Sequence, residues 1–293
     1  AEFNERCRES VGRHVDAFVE LTHRMGYWVN FDEAYWTMNA SYVESAWWAL
    51  KQIFDSGLLV EDYRVTPYCP KDQTALSDHE VSQGYEDVVD PSVFVRFPLT
   101  SGPWVGASML VWTTTPWTLV SNTAVAVHPE VTYVAATKLA TGPDDEPETL
   151  VVAEPLAEKV LGDGWQIEGS YTGRDLELWT YRRPFDLVEF PDVVGGTHYV
   201  LMADYVTTED GTGIVHSAPA YGLEDFNSCK ANGFTNDDIL SPVQSNGVYS
   251  ESLPFFGGLH IWKANPVIVD KLQEVGALFS HEKISHSYMH CWR

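Results

Sequence analysis

The sequence predicts an α+β fold, in which a β-barrel-like domain is flanked by helices. Apolar residues recur at helical spacing before about residue 80, and short β-rich runs separated by Gly, Pro and Asp follow from about Asp90. Many short strands joined by turns favour a closed or nearly closed barrel, because closure removes exposed strand edges. We expect three parts: a helical base (residues 1–89), a β-rich domain (90–280) and a return segment (281–293).

Two helices are predicted in the helical base. Over Val11–Met25 the apolar residues recur every three or four positions, and Gly26 is placed to end the helix. The second helix spans Ala40–Ser56, with Asn39 as its cap and Gly57 after its last turn. Its apolar stripe is typical of a side that faces a core, and we expect that here.

The later elements follow from strand and cap signals. A polar surface loop is expected over Thr141–Glu148, and Asn265 with Pro266 predicts the start of a helix that runs to Gly276. Seven strands are predicted from short β-rich runs: Val93–Phe97, Ala107–Thr113, Ala124–Val127, Thr132–Ala136, Thr149–Ala153, His198–Ala203 and Gly213–His216.

Composition limits the partners and the compartment. The formal net charge of −24 opposes nucleic-acid binding unless a local cationic surface or other domains provide the contacts. No apolar run approaches the roughly 20 residues of a membrane span, so no membrane partner is expected. The charged start AEFNERCRES lacks a signal-peptide pattern, and the four cysteines lie far apart. Reduced thiols and a cytoplasmic location are therefore expected.

The first segment with chemical potential is Val111–Asn122 (VWTTTPWTLVSN). Pro116 should stop the preceding strand, which places the threonine hydroxyls and backbone N–H groups at a strand end, where they can face a ligand. Such groups suit an ester carbonyl, a ribose hydroxyl and an ordered water, but they include no strong base. A threonine-rich strand followed by a turn is the alternative interpretation.

The second segment is Gly211–Phe226 (GTGIVHSAPAYGLEDF). Glycines lead into a strand that ends at His216, and the acidic pair Glu224 and Asp225 opens a predicted helix. A carboxylate at the positive end of a helix dipole can hold an ammonium group. The alternatives are that His216 is a hydrogen-bonded core residue and that Asp225 is only a helix cap.

Together the two segments resemble the editing domain of the isoleucyl-tRNA synthetase family, a connective-peptide insertion in these class I aminoacyl-tRNA synthetases. Valyl and leucyl relatives usually carry Arg at the position of Pro116, so Pro116 and Trp117 favour the isoleucyl branch. The matching segments are Thr113–Leu119 (TTTPWTL), Ser121–Val127 (SNTAVAV), Gly211–Gly222 (GTGIVHSAPAYG), Tyr42–Gly57 (YVESAWWALKQIFDSG), Val65–Ser77 (VTPYCPKDQTALS) and His286–Arg293 (HSYMHCWR).

The resemblance implies a function for the chain and its parent enzyme. The editing domain would hydrolyse the ester of valine attached to the 3′ end of tRNA(Ile), and the parent ligase would join isoleucine to that tRNA with ATP and magnesium. The rest of the parent synthetase is thus an expected partner. The alternatives are an editing hydrolase for another aminoacyl group or valyl-adenylate, and a non-catalytic module that binds the tRNA end.

The resemblance also implies roles for individual residues. Asp225 would bind the α-ammonium group of the aminoacyl moiety, and His216 would wall the side-chain pocket and exclude isoleucine. Asn122 would support the threonine loop. The threonines would line the terminal adenosine, the ester and the attacking water: Thr113, Thr114, Thr115 and Thr118. Thr113, Thr114, Thr115 and Asp225 are the expected catalytic residues, and Thr118, Asn122, His216 and Asp225 the substrate-binding ones.

Two features of the family are altered or missing. Its signatures His-Ile-Gly-His and Lys-Met-Ser-Lys-Ser do not occur, and neither does a phosphate loop of the form G-x-x-x-x-G-K-[ST], so no synthetic site and no cofactor are expected here. The family often has a four-thiolate zinc site, but Asp72 stands where the partner of Cys69 would be. Cys69 and Cys291 leave that site incomplete, and we expect no bound zinc.

Overall fold

The computed structural model describes residues 2–139, 147–190 and 198–292. The chain forms two compact units, Ala1–Asp62 and Tyr63–Arg293. The boundaries predicted at residues 89/90 and 280/281 are based on sequence patterns rather than on compactness. They stay predictions. Most of the loop predicted over Thr141–Glu148 lies outside the described residues. No helix in the described ranges is long and apolar enough to cross a bilayer.

Helices dominate the first unit. The helix predicted over Val11–Met25 is split in two, because turn residues follow Gly12, whereas the second predicted helix is confirmed. Gly26 and Gly57 follow their helices with left-handed φ of 77° and 71°, as a glycine after a C-terminus does. Asn39 occupies the N-cap position but makes no side-chain capping bond. The helices are α1 (Glu2–Gly12), α2 (Val15–Arg24) and α3 (Ala40–Asp55).

The apolar stripe of α3 is exposed, so the prediction that it faces a core is wrong for the described chain. No residue of α3 is buried, and Trp47 and Trp48 are 69% and 66% exposed. Thr22 is the one buried residue among those described in the first unit. Helices that bury no stripe against one another lack most of the packing that stabilises helices in proteins. This unit therefore presents an unusually apolar surface.

The second unit holds the remaining helices and all the strands described. The seven predicted strands all occur, although β3 begins well before Val93; β1, β2, β8 and β11 were not predicted. The elements are β1 (Tyr68–Cys69), β2 (Thr74–Ala75), α4 (Asp78–Ser82), β3 (Tyr85–Pro98), β4 (Ser108–Thr113), β5 (Ala124–Val127), β6 (Thr132–Lys138), β7 (Glu148–Ala153), α5 (Glu154–Leu161), β8 (Trp165–Thr172), β9 (Val200–Met202), β10 (Ile214–Ser217), α6 (Leu223–Ala231), α7 (Ile261–Glu274) and β11 (Leu278–Met289).

Nine strands form one curled sheet, which confirms the barrel-like fold. The order is β8-β6-β7-β4-β10-β5-β9, with β3 beside β4 and β11 beside β3. The segment 178–182 joins two distant parts of this sheet. Thr180 accepts a backbone hydrogen bond from Thr100 (2.8 Å) at the end of β3, and Tyr181 donates to His198 (3.2 Å) beside β9. Backbone pairing thus runs in a ring through β3, β4, β10, β5, β9 and this segment.

Alternation along the strands places the core inside this ring. On β3, Val93, Val95 and Phe97 are fully buried and belong to the largest apolar cluster. On β10, Ile214 belongs to the same cluster, and His216 lies two residues further along the strand. Because residues two apart on a strand share a face, His216 points to the same side of the sheet as Ile214.

The helix predicted to begin at Asn265 begins earlier, so that prediction is wrong. His260 is the N-cap of α7, and its Nδ1 accepts from the N–H of Trp262 (3.4 Å). Pro266 therefore lies inside the helix, where a proline costs about 3 kcal/mol. A buried apolar face compensates for that cost. Its residues are Ile261, Ala264, Ile268 and Leu272.

Strands β3 and β11 pair along almost their whole length. The register runs from Leu278↔Val95 to Met289↔Tyr85. Only the second half of β3, from Val93, also pairs with β4. The first half of β3 and the second half of β11 therefore form a two-stranded ribbon that continues beyond the barrel.

Candidate active site

The threonine-rich segment lies where β4 ends. Thr113 is the last residue of the strand, and Pro116 opens a short 3-10 helix, Pro116–Ser121. Pro116 therefore ends the strand as predicted, because it cannot donate a ladder hydrogen bond. Thr113 and Thr118 are buried, whereas Thr114 and Thr115 are partly exposed.

Three threonine hydroxyls are linked. Thr113 Oγ1 lies 3.2 Å from Thr115 Oγ1, which lies 3.1 Å from Thr118 Oγ1. The Thr118 hydroxyl also donates to the carbonyl oxygen of Thr115 (2.8 Å), and Thr113 Oγ1 accepts from the Thr115 N–H (3.2 Å). These contacts fix the turn after β4 in one conformation.

His216 joins this cluster to the second motif. Its Nε2 lies 2.9 Å from Thr118 Oγ1, and its Nδ1 lies 2.8 Å from Nδ2 of Asn122. Sheet pairing makes this possible, because Val215 on β10 is the partner of Trp112 on β4. Burial lowers the pKa of His216 to about 3, so the imidazole is neutral near pH 7. A neutral ring bonded at both nitrogens is held in one orientation, and neither nitrogen is left to act as a base.

Asp225 lies in the first turn of α6, beside the C-terminal end of β10. Its Oδ2 accepts from the N–H of Ala218 (2.9 Å), two residues after His216, and its Oδ1 accepts from the Tyr205 hydroxyl (2.9 Å). Burial raises the pKa of Asp225, and these two hydrogen bonds oppose that rise. The neighbouring Glu224 is exposed.

The structure thus brings most of the predicted site residues together. One hydrogen-bonded network holds five of them: Thr113, Thr115, Thr118, Asn122 and His216. Asp225 lies outside that network and is tied to the residue that follows β10. Among the described contacts, the side chain of Thr114 makes no hydrogen bond, which leaves its hydroxyl available to a ligand.

Three residues that contact the site were not predicted. The Tyr181 hydroxyl donates to Oδ1 of Asn122 (2.7 Å), and Tyr205 bonds Asp225. His198 Nε2 lies 3.2 Å from the Asn122 carbonyl oxygen, and burial lowers the pKa of His198 to about 4. None of these three residues lies in a motif. For the two tyrosines, the one available sequence signal is that a buried tyrosine hydroxyl usually needs a hydrogen-bond partner.

A second cluster lies apart from these residues. The sulfur atoms of Cys69 and Cys291 each lie 3.6 Å from Oδ2 of Asp72, and the three ligand atoms fall within 4.8 Å of one another. A structural zinc site closes with four ligands. Among the described residues the set falls one ligand short, so it does not fit a closed structural zinc site.

Comparison with known proteins defines the class of this chain. Residues 1–282 match the family model of class I tRNA synthetases (I, L, M and V), and the chain therefore belongs to that family. Within it, the chain is similar over its full length to isoleucine–tRNA ligases, as the motifs indicated. Identity is 58% with the ligase of Streptomyces avermitilis (100% of this chain) and 44% with that of Thermus thermophilus (99%). The chain spans 27% of the length of each of these relatives.

A solved structure described as GlLeuRS-CP1 has the same fold. The TM-score is 0.50 at 16% identity, and the match covers 66% of this chain and 99% of that one. At this identity the likeness concerns the fold alone. It agrees with the barrel-like architecture described above.

Proposed function

We propose that this chain performs the editing reaction of an isoleucine–tRNA ligase, the hydrolysis of valine wrongly attached to tRNA(Ile). One observation carries the proposal: a single network joins the threonines, Asn122 and His216, and Asp225 lies at the exit of the same strand. Hydroxyls, a neutral imidazole and one carboxylate suit an activated ester with a free ammonium group.

The need for such a reaction follows from the size of the two amino acids. Isoleucine and valine differ by one methylene, which is worth only about 1–3 kcal/mol in a hydrophobic pocket, a range for which isoleucine–tRNA ligases are themselves the usual example. A second site that rejects isoleucine sterically and hydrolyses valine esters supplies the missing selectivity.

Each residue has a role that its contacts support. Asp225 holds the α-ammonium group, and the bonds from Ala218 and Tyr205 aim its carboxylate. An approaching ammonium favours the ionised carboxylate and opposes the effect of burial on its pKa. His216 walls the side-chain pocket, since Thr118 and Asn122 prevent its ring from turning.

The chemical step requires a positioned water rather than a strong base. The water oxygen bonds to the ester carbonyl carbon, and the bond from that carbon to the ribose oxygen then breaks. The departing ribose oxygen takes a proton, and the carboxylic acid product releases one. Thr113, Thr114 and Thr115 supply hydroxyls, and the backbone N–H groups at the strand end supply donors. Positioning and electrostatic stabilisation account for much of such catalysis.

An arginine-lined cavity supports tRNA as the partner. A cavity of about 420 Å³ is lined by three arginines, Arg96, Arg182 and Arg183, in a chain whose net charge is −24. Arg96 pairs with Glu148 and Arg183 with Asp186, whereas Arg182 is exposed. We assign this surface to tRNA phosphates, because arginine binds phosphate oxygens in a bidentate manner.

The apolar surface of α3 supports the rest of the ligase as the second partner. Trp47 and Trp48 are exposed in this chain, which spans about a quarter of the relatives' length. Burial of such a surface against other parts of the ligase removes its contact with water. The use of ATP and magnesium and the cytoplasmic location belong to the proposal for the whole ligase.

The test is deacylation of valyl-tRNA(Ile) and isoleucyl-tRNA(Ile), side by side, by this chain in excess and by a full-length isoleucine–tRNA ligase that contains it. We expect selective release of valine. Preferential release of another amino acid would indicate an editing hydrolase of different specificity. Binding of tRNA without release by either protein would indicate a non-catalytic module.

A further inference from the structure

Tyr181 touches the proposed site from outside both motifs. It lies on the segment that closes the ring of strands, is 4% exposed and stacks on Phe97 at a centroid distance of 5.3 Å. Its hydroxyl reaches Oδ1 of Asn122 at 2.7 Å. A buried hydroxyl aimed at a fully buried amide suggests a role in orienting that amide.

The surroundings of Asn122 fix the orientation of its amide group. Nδ2 lies 2.9 Å from the carbonyl oxygen of Ala124, which can only accept a hydrogen bond, so the amide nitrogen must be on that side. Oδ1 then faces the hydroxyl of Tyr181, which donates to it. The Ala124 carbonyl thus selects this orientation, and the Tyr181 hydroxyl stabilises it by donating to Oδ1.

This orientation determines the tautomer of His216. The second N–H of Asn122 Nδ2 points to Nδ1 of His216 at 2.8 Å, so Nδ1 is the acceptor. A neutral imidazole has one N–H, which must then lie on Nε2. Nε2 donates to Thr118 Oγ1 at 2.9 Å.

The direction of the next hydrogen bonds follows. The Thr118 hydroxyl donates its own proton to the Thr115 carbonyl oxygen (2.8 Å), so it can only accept from the hydroxyl of Thr115 (3.1 Å). The proton of the Thr115 hydroxyl thus points to Thr118 Oγ1 or to Thr113 Oγ1 (3.2 Å), both within the threonine cluster. A lone pair of Thr115 Oγ1 is left to accept a proton of a bound water.

We propose that Tyr181 is a positioning residue of the editing site. Through Asn122 it holds the His216 ring, in its Nε2–H tautomer, against the Thr118 hydroxyl of the threonine cluster. The role of the His216 ring in editing rests on the proposed function. The tautomer of His216 does not depend on the proposed function, because it is a property of the substrate-free protein.

Removal of the Tyr181 hydroxyl should release this arrangement. In Tyr181→Phe the Oδ1 of Asn122 is buried without a donor, and an unsatisfied buried amide oxygen is unfavourable. The amide then rotates for part of the time, and His216 samples both tautomers. Editing weakens because the His216 ring and the Thr118 hydroxyl that it contacts are no longer held in one arrangement.

The first measurement is the tautomer of His216 in the substrate-free 293-residue chain, labelled with 15N-histidine and read by long-range 1H–15N NMR. His216→Gln assigns the signals. We expect the Nε2–H pattern in the wild type and partly averaged nitrogen signals in Tyr181→Phe. In the deacylation assay, kcat for valyl-tRNA(Ile) should fall about tenfold, and KM should change less than about twofold.

Tyr133→Phe is the matched control. The Tyr133 hydroxyl is also buried in the barrel and donates to the Gly213 carbonyl oxygen (2.8 Å), but it does not contact Asn122. This variant should lose comparable stability and keep both the wild-type tautomer and kcat. Equal effects of the two variants on kcat would show a merely structural role for Tyr181 and overturn the proposal.

Two further outcomes would also overturn it. One is an Nδ1–H tautomer in the wild type, which decides the matter even if Tyr181→Phe does not fold. The other is a folded Tyr181→Phe with an unchanged tautomer. Failure of the wild type and the full-length ligase to release valine would instead refute the proposed function, and the tautomer assignment would stand.

Discussion

The carboxylate of Asp225 lies so close to Gly222 that a Cβ atom on Gly222 would stand 2.9 Å from Oδ2 and 3.1 Å from Cγ. The backbone of Gly222 is extended, with φ of −125°, so any residue could adopt it. Space, rather than backbone conformation, therefore requires glycine here. Glycine lets Asp225 turn back towards Ala218 and Tyr205 at the start of α6.

Gly222→Ala should displace the Asp225 carboxylate and reduce editing. We expect kcat/KM for valyl-tRNA(Ile) to fall about tenfold or more, because a shift of about 1 Å at a reacting group can cost far more than that. Thermal unfolding should change little, since a side chain moves and no backbone strain arises. Gly12→Ala, whose Cβ would meet no atom within 4 Å, is the control. Unchanged kinetics in Gly222→Ala would contradict the close contact.

Asp225→Ala should nearly abolish valine release. Loss of one partner of a buried charge pair costs about 2–5 kcal/mol, which corresponds to a rate loss of roughly 30-fold to several thousand-fold. Glu224→Ala removes the adjacent, exposed carboxylate from the same helical turn and should retain wild-type rates. Deacylation kinetics with both variants check this, and similar losses in both would point to a general charge effect.

His216→Ala should admit isoleucine. Removal of the imidazole opens the pocket wall, so the ratio of isoleucyl- to valyl-tRNA(Ile) deacylation should rise about tenfold, a size that one methylene can support. Absolute rates will fall as well, because Thr118 and Asn122 lose their partner. His216→Gln conserves much of the volume and should keep the ratio within about twofold. A ratio that rises equally in both variants would exclude the wall role.

Acidification should destabilise the fold through His216. Burial lowers its pKa to about 3, whereas an unfolded histidine has a pKa near 6.5. Between these values the unfolded state binds more protons, so stability is complete above about pH 6.5 and is lost as the pH falls towards 3. At pH 5 the loss from this residue is about 2 kcal/mol.

Urea unfolding at pH 8 and pH 5 measures this effect. The drop in the free energy of unfolding should be about 2 kcal/mol smaller in His216→Gln than in the wild type, because glutamine does not titrate. Burial also keeps His198 neutral, so His198 contributes to the drop in stability as well. Its contribution is the same in both proteins and cancels in the comparison. Equal drops in the two proteins would refute the assignment to His216.

Arg182→Ala should weaken tRNA binding in a salt-dependent way. One lost phosphate contact reduces the slope of log K against log salt concentration by about 1. Arg174→Ala is the matched control, because Arg174 is exposed, pairs with Glu130 and lines a different cavity. Binding measured at several salt concentrations should separate the two variants, and identical slopes would remove Arg182 from the proposed tRNA surface.

Local sequence patterns predicted the helices and strands whose own residues show an apolar pattern. Strands such as Ala124–Val127 are buried throughout, and α2 ends where Gly26 indicates. β11 (LFSHEKISHSYM) was missed because it is mostly polar and exposed, and its pairing with β3 holds it in place. The start of α7 was wrong because its buried face outweighs the local Asn265–Pro266 signal.

The site was predictable only where its residues lie in short motifs. Thr113 and His216 stand in such motifs, at the ends of predicted strands. Tyr181 lies 59 residues from Asn122, and Tyr205 lies 20 residues from Asp225. No periodicity links these pairs, because their hydrogen bonds form only when separate strands and loops meet in the folded sheet.

The pairing of β3 with β11 has a consequence for how this domain can be gained or lost. Tyr85 and Met289 are direct neighbours across the ribbon, and opposite residues in an antiparallel pair have Cα atoms only about 4.5–5.5 Å apart. A host chain that received the intervening residues would thus keep its own two ends side by side. A turn of two to five residues would span the same gap. The residues between Tyr85 and Met289 therefore leave the ribbon and return to it at neighbouring points.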